Sequence, residues 1–248
     1  MKQKGFTYIA YVRPEKPETD EVTKRASGDY QAMRKWRERY GFGVFAEFVY
    51  PKELDSPLAK PDNPEIDPNW AIQSKLSAAQ GAAFRKASDA CMVVAAKQVL
   101  GKDLKSGDDY FNQINKASDR ALAAKVDSDP QLIELAAAMA SCLKGKGNAI
   151  GKTTPQEMYG RGFQMFNDQA DKLGRAQRDD VPDVAPPAKD GENKMTYMPD
   201  LSAAEAKPYL AKEIKAALDD LECGKDFYPA YLPKAAVVNQ QVNDEFGM

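Results

Sequence analysis

Five helix starts punctuate the chain between residues 67 and 205, and they constrain the fold more than any other feature. Asp67 precedes Pro68, Ser106 stands three before Asp109, Asp129 precedes Pro130, Thr154 and Glu157 bracket Pro155, and Ser202 stands three before Glu205. A short oxygen-bearing side chain accepts from the orphan N–H groups of a first turn, and proline at the first helical position gives up an N–H that the helix does not use. Behind each start, apolar residues recur at threes and fours. Ile72, Leu76, Ala79, Ala83, Ala90 and Val94 lead to Gly101, which predicts one helix of roughly 30 residues. Phe111, Ile114, Ala121 and Leu122 mark the next. LIELAAAMASCL, apolar nearly all round, is expected in the middle of a bundle. Met158, Met165, Phe166, Ala170 and Leu173 mark a helix ending near Gln177, and Leu210, Ile214, Leu218 and Leu221 mark one closed by Gly224. The expectation is a mainly α protein, a bundle of about five helices over 67–178 and 201–224.

The flanks read differently. FTYIAYV and VFAEFVY are β-branched and aromatic runs of the kind that make strands, and DYQAMRKWRERY between them has helical spacing stopped by Gly41 and Gly43. Residues 1–50 are therefore expected to form a small α/β, βαβ-like element, with parallel and antiparallel pairing both open. Residues 51–66 hold four prolines and read as a linker or ordered loop, and 179–200, with four prolines and six acids, as a flexible connection. Residues 225–248 carry Pro229 and Pro233 among aromatics. They predict an extended arm packed on the body or on a neighbouring subunit, and hence a homo-oligomer. No internal repeat has a fixed period.

Several functions are excluded outright. The 248 residues include no histidine, so Ser/His/Asp and Cys/His catalysis and imidazole metal ligation are closed to the chain. No window approaches the roughly 20 apolar residues of a membrane span, and the N-terminus is too short in apolar residues and too polar for a secretory signal. A soluble, cytoplasmic protein is expected. Cys91, Cys142 and Cys223 are odd in number, widely separated and without CxxC spacing, which points to buried small residues rather than to a disulfide or zinc site. In GKGNAIGKTT, 145–154, the glycine that a P-loop needs five positions before Gly151 is replaced by Lys146, so an ordinary helix end plus a basic loop is expected. Asp179 with Asp180, and Asp219 with Asp220, are adjacent carboxylate pairs. Neighbours on a helix point about 100° apart and cannot share an ion, and exposed surface is expected for both members of the second pair. Neither an enzyme nor a cofactor is indicated.

One cluster points to binding. Arg34, Lys35, Arg37 and Arg39 stand beside Trp36 and Tyr40, ahead of Phe42, Phe45, Phe48 and Tyr50. Cations hold phosphates and flat rings stack unpaired bases, the combination that single-stranded nucleic acid requires. Charge is also segregated. Residues 1–50 carry ten Lys plus Arg and seven acids, whereas 166–248 carry ten and sixteen, within a total of −2.

Asp244, Glu245 and Phe246 near the end resemble, in outline, the acidic tails of single-stranded DNA-binding proteins, which finish near a phenylalanine; the resemblance implies a partner-recruiting segment. Tyr11, Val12 and Arg13 resemble the opening of small serine recombinases, but Glu15 stands where their nucleophile would be. The expectation is a non-enzymatic, single-strand-binding protein. The alternative is an assembly or adaptor protein, a virion or complex component, that contacts partner proteins through its C-terminal arm.

Overall fold

All five expected starts are capped as their residues dictate. The computed structural model describes residues 1–12, 18–54, 56, 67–184 and 195–248, and among these its regular structure is helical. The helices are α1 (Asp20–Ala26), α2 (Tyr30–Tyr40), α3 (Ala46–Val49), α4 (Pro68–Gln73), α5 (Ala78–Leu100), α6 (Gly107–Lys125), α7 (Pro130–Gly145), α8 (Pro155–Ala176), α9 (Ala203–Cys223) and α10 (Phe227–Phe246). The Asp67 carboxylate accepts from Asn69 N–H, Asp129 from Gln131 and Leu132, Thr154 Oγ1 from Glu157, and Ser106 Oγ from Asp109. Ser202 and Glu205 close a reciprocal capping box. A mainly α architecture is thus established.

Four expectations change. The single helix from 67 to Gly101 is two, α4 and α5, because Ser77 and Gln80 form a complete capping box that starts a new helix inside the periodic run. The N-terminal α/β element has no strand among the described residues. VFAEFVY turns into α3, with Phe45 and Phe48 buried. FTYIAYV runs without regular structure, and a single side chain satisfies its Ile9 peptide: Asn69 Oδ1 accepts from Ile9 N–H at 2.8 Å and Nδ2 donates to Ile9 C=O at 2.7 Å. Helix α7 buries only one face, through Leu132, Ala136, Met139, Ala140 and Leu143, while Ile133 stays exposed.

The C-terminal segment is not an extended arm but α10. Phe227, Tyr228, Tyr231, Ala235, Val238, Val242 and Phe246 recur at helical spacing and are buried. Pro229 falls in the first turn, where its missing N–H is not needed, and Pro233 removes one bond inside the helix. Burying seven large or medium apolar side chains outweighs that one bond. The reason for expecting an oligomer goes with the arm. Of the connections expected to be loose, 57–66 and 185–194 lie outside the described residues.

The chain divides into two compact units, and the boundaries fall inside α6 and α10. The first comprises Met1–Pro17, Lys60–Ala117 and Val242–Met248. Its buried residues include Phe84, Ala87, Leu104, Ile114 and Phe246. The second comprises Glu18–Ala59 and Ser118–Gln241. Within it α9 packs against α2, α3, α7 and α8. One cluster there gathers Met139, Leu143, Met158, Leu221, Phe227 and Tyr228, and another gathers Phe45, Phe48, Phe166, Ala206 and Leu210.

The expectation of unpaired cysteines fails for two of the three. Cys142 on α7 and Cys223 at the end of α9 form a disulfide, with Cα atoms 5.5 Å apart across 81 residues of sequence, while Cys91 is free. Spacing along the chain could not reveal this pair, because the packing of α7 on α9 creates it. A crosslink closing a loop of that length restricts the unfolded chain by about 4 kcal/mol in the chain-entropy account. Replacing both Cys142 and Cys223 by Ser is therefore expected to lower unfolding free energy by about 2–4 kcal/mol in urea titrations. Dithiothreitol is expected to lower the urea midpoint of the parent and to leave that of the doubly substituted protein unchanged.

Candidate functional site

In the second unit, the faces of α1, α2 and α8 leave a cleft of about 540 Å³. Thr19 caps α1 and Asp29 caps α2, each by accepting a first-turn N–H, so both helices end where the cleft needs them. Its walls are Met33, Trp36, Phe42, Tyr159 and Phe163, with Arg25 and Arg37 as the only charged residues of the lining among the described residues. Tyr159 is 47% and Phe163 50% exposed, and Tyr159 stacks on Tyr231 with ring centroids 4.8 Å apart. Phe42 lies against α8 because position 162 is glycine: a Cβ there would stand 2.1 Å from the Phe42 ring.

The corner that carries Phe42 is fixed from α9. Glu213 is fully buried, and its carboxylate accepts from the backbone N–H groups of Phe42 and Val44 at 2.9 Å and of Phe45 at 2.8 Å. Burial pushes this carboxyl above the usual range, and the backbone donors of the corner pull it part of the way back. Gly41, at φ 62°, brings the backbone close enough for those bonds.

The two arginines of the cleft are in opposite electrostatic states. Arg37 Nη1 donates to Asp220 Oδ1 at 2.7 Å and to Ala217 C=O at 2.8 Å, and its guanidinium lies 4.6 Å from the Tyr228 ring centroid. Tyr228 also donates its hydroxyl to Asp220, and burial pushes that phenol well up. Asp220 Oδ2 makes no hydrogen bond, but Arg161 Nη1 stands 3.5 Å away. Burial lowers the Arg37 pKa, and Tyr228 and Asp220 more than reverse this.

Arg25 has no such compensation. Its guanidinium lies 3.7 Å from the Trp36 ring centroid. Among the described residues it has no carboxylate within ion-pair distance and makes no side-chain hydrogen bond. Glu21, one turn earlier, bonds Lys35 at 3.0 Å instead. Partial burial accordingly lowers the Arg25 pKa, against smaller raising effects from Glu21 and Tyr40.

The residues expected to hold nucleic acid are dispersed by this geometry. Arg37 is buried in the polar core rather than on a basic face. Arg34 pairs with Glu38 at 2.8 Å, Lys35 with Glu21, and Arg39 with Glu53 at 2.8 Å, while the Tyr40 hydroxyl also donates to Glu53 at 2.7 Å. Only Trp36 lines the cleft with a free function. Sequence reasoning included Phe42 in the aromatic cluster but missed Arg25, Tyr159 and Phe163; the signal was YGRGF at 159–163, since two glycines inside a helix mark close approach by another element.

The proposed tail is not free either. Phe246 is buried, with its ring 6.0 Å from that of Tyr110, Glu245 bonds Lys102, and Asp244 continues α10. Asp219 is half-buried and faces Lys146, whereas Asp220 points inward and is 1% exposed, which corrects the expectation that both lie on the surface. Lys146 and Gly147 close α7, as expected of a helix end, and Asp219 and Glu222 push Lys146 up to about 12. Among the described residues no group of three or more Cys, Asp or Glu could hold a metal ion.

The two arginine substitutions separate core from surface. Arg37→Ala strands a buried carboxylate and is expected to cost about 3–5 kcal/mol of stability. Arg34→Ala removes one exposed pair and is expected to change stability by less than about 1 kcal/mol in the same urea titration. No protein-family model, curated protein or solved structure matches the chain, so the cleft itself carries the functional reading.

Proposed function

We propose that the chain is a non-enzymatic binding protein that takes a flat aromatic group into the cleft between α1, α2 and α8. The observation that carries this reading is the aromatic lining of Trp36, Tyr159 and Phe163, the last two about half exposed, around a cavity of about 540 Å³. That volume suits one small-molecule ring system. Among the described residues the lining contains no carboxylate, lysine, serine or cysteine. It is suited to hold and orient a ligand and offers no carboxylate for acid–base work.

Single-stranded nucleic acid is the second reading, favoured by one observation. The ion pairs of Arg34, Lys35 and Arg39 are all about half or more exposed. Pairs of this kind contribute only about 0–1 kcal/mol, so a phosphate can exchange for the carboxylate at small cost. The adaptor reading has less to stand on, since the C-terminal segment that was to meet partners is spent in α10. The disulfide supports an oxidising compartment over the cytoplasm, where thiols are kept reduced.

Equilibrium dialysis against indole tests the cleft. Aromatic contacts contribute about 0.5–1.5 kcal/mol each, so Phe163→Ala is expected to weaken indole binding about 3- to 10-fold. Its exposure makes an effect on thermal stability small. Unchanged indole affinity in Phe163→Ala would count against the cleft. Salt-sensitive binding of a labelled single-stranded 30-mer, undiminished in Phe163→Ala, would favour the second reading instead.

A further inference from the structure

We infer that the ligand of this cleft is an aromatic oxyanion, a flat ring bearing a carboxylate or phosphate, and that Arg25 receives the anionic group. The inference rests on the cleft being the binding site and adds the charge of what enters it. The Arg25 guanidinium carbon lies 3.7 Å from the Trp36 ring centroid, a contact that restrains the group while its N–H donors have no bonded partner among the described residues. A guanidinium so oriented presents two parallel donors, the arrangement that matches a carboxylate or phosphate edge.

The surroundings sharpen the choice. Among the described residues no Asp or Glu lines the cleft, so no carboxylate of the lining competes for Arg25. The other arginine of the lining, Arg37, is committed to Asp220 and Ala217 and has no comparable vacancy. Its neighbour Glu21 is engaged with Lys35. A ring entering between Trp36, Tyr159 and Phe163 places a one- or two-carbon acidic substituent beside the only uncompensated charge in the cleft. Apolar walls around the pair strengthen the attraction by excluding water.

Three probes with one ring and different charges read this out: indole-3-acetate, indole and tryptamine, each dialysed against the oxidised, full-length protein at low and moderate salt. Indole-3-acetate is expected to bind about tenfold tighter than indole, the equivalent of about 1.4 kcal/mol. Tryptamine is expected to bind most weakly. The advantage of the anion should shrink as salt rises. Arg25→Gln is expected to erase the preference for indole-3-acetate over indole. Arg25→Lys, which keeps the charge but loses the planar fork, should retain part of the preference. Helix α1 contains no buried residue, so neither substitution removes core packing; a thermal melt confirms that the fold is intact.

Equal affinity for the three probes overturns the anion assignment and leaves the aromatic cleft standing. Failure of all three to bind overturns both. A preference for indole-3-acetate that survives in Arg25→Gln shows that another group receives the anion and also overturns the assignment.

Discussion

Two carboxylates on one face of α9, seven residues apart, hold the second unit in register. Glu213 and Asp220 are 0% and 1% exposed, and each reaches a different part of the chain. Glu213 gathers the amides of the corner between α2 and α3, and Asp220 gathers Arg37 from α2, Tyr228 from α10 and, more loosely, Arg161 from α8. Hydrophobic contacts are non-directional, and a bundle packed by them alone tolerates sliding of one helix past another. A buried carboxylate does not, because leaving its position strands a charge away from water. Part of the cleft lining is attached to these two anchors: Phe42 through Glu213, and the α2 face bearing Met33 and Trp36 through Asp220.

The same two residues show where sequence reading stops. Leu210, Ile214, Leu218 and Leu221 mark the apolar side of α9 by their spacing, but of these only Leu210 and Leu221 are buried, and Ala206, Glu213, Ala217 and Asp220 complete the buried face. A hydropathy pattern assigns acidic residues to solvent, so the face is legible but its polar members are misplaced. Partners 168 to 183 residues away made the difference, and nothing in local sequence identifies them. Helix starts behaved oppositely. Asp67, Ser106, Asp129, Thr154 and Ser202 work within three residues of themselves, and each caps the helix its sequence announces. Mainly α architecture was therefore readable before any tertiary contact was known.

Segments dominated by tertiary burial were the ones misread. VFAEFVY has the composition of a strand, but a strand needs a neighbour to bond, and Glu213 offers the amides of 42–45 a side-chain acceptor instead. In α10, Pro229 and Pro233 argued against a helix more strongly than the period of Phe227, Tyr231, Ala235, Val238 and Val242 argued for it. The core reversed that weighting. The candidate site suffered most, since only Trp36 of the six residues read as nucleic-acid contacts lines the cleft with a free function, and the unpaired arginine was outside the stretch considered.

Arg25 and Arg37 illustrate why charge counts alone mislead. Both are arginines, both line one cleft, and both stack on an aromatic ring. Arg37 sits where a carboxylate has been buried to meet it, so its charge is internal to the fold and invisible to a ligand. Arg25 is half-buried with a ring beneath it and no carboxylate against it, so its charge is directed outward. A protein gains no stability from partly desolvating a cation without a counter-charge; the cost is small at this exposure, but it is a cost. Such an arrangement is retained where an anion arriving from outside offsets it. This asymmetry, rather than the density of basic residues on α2, is the observation on which the proposed recognition of an anion rests.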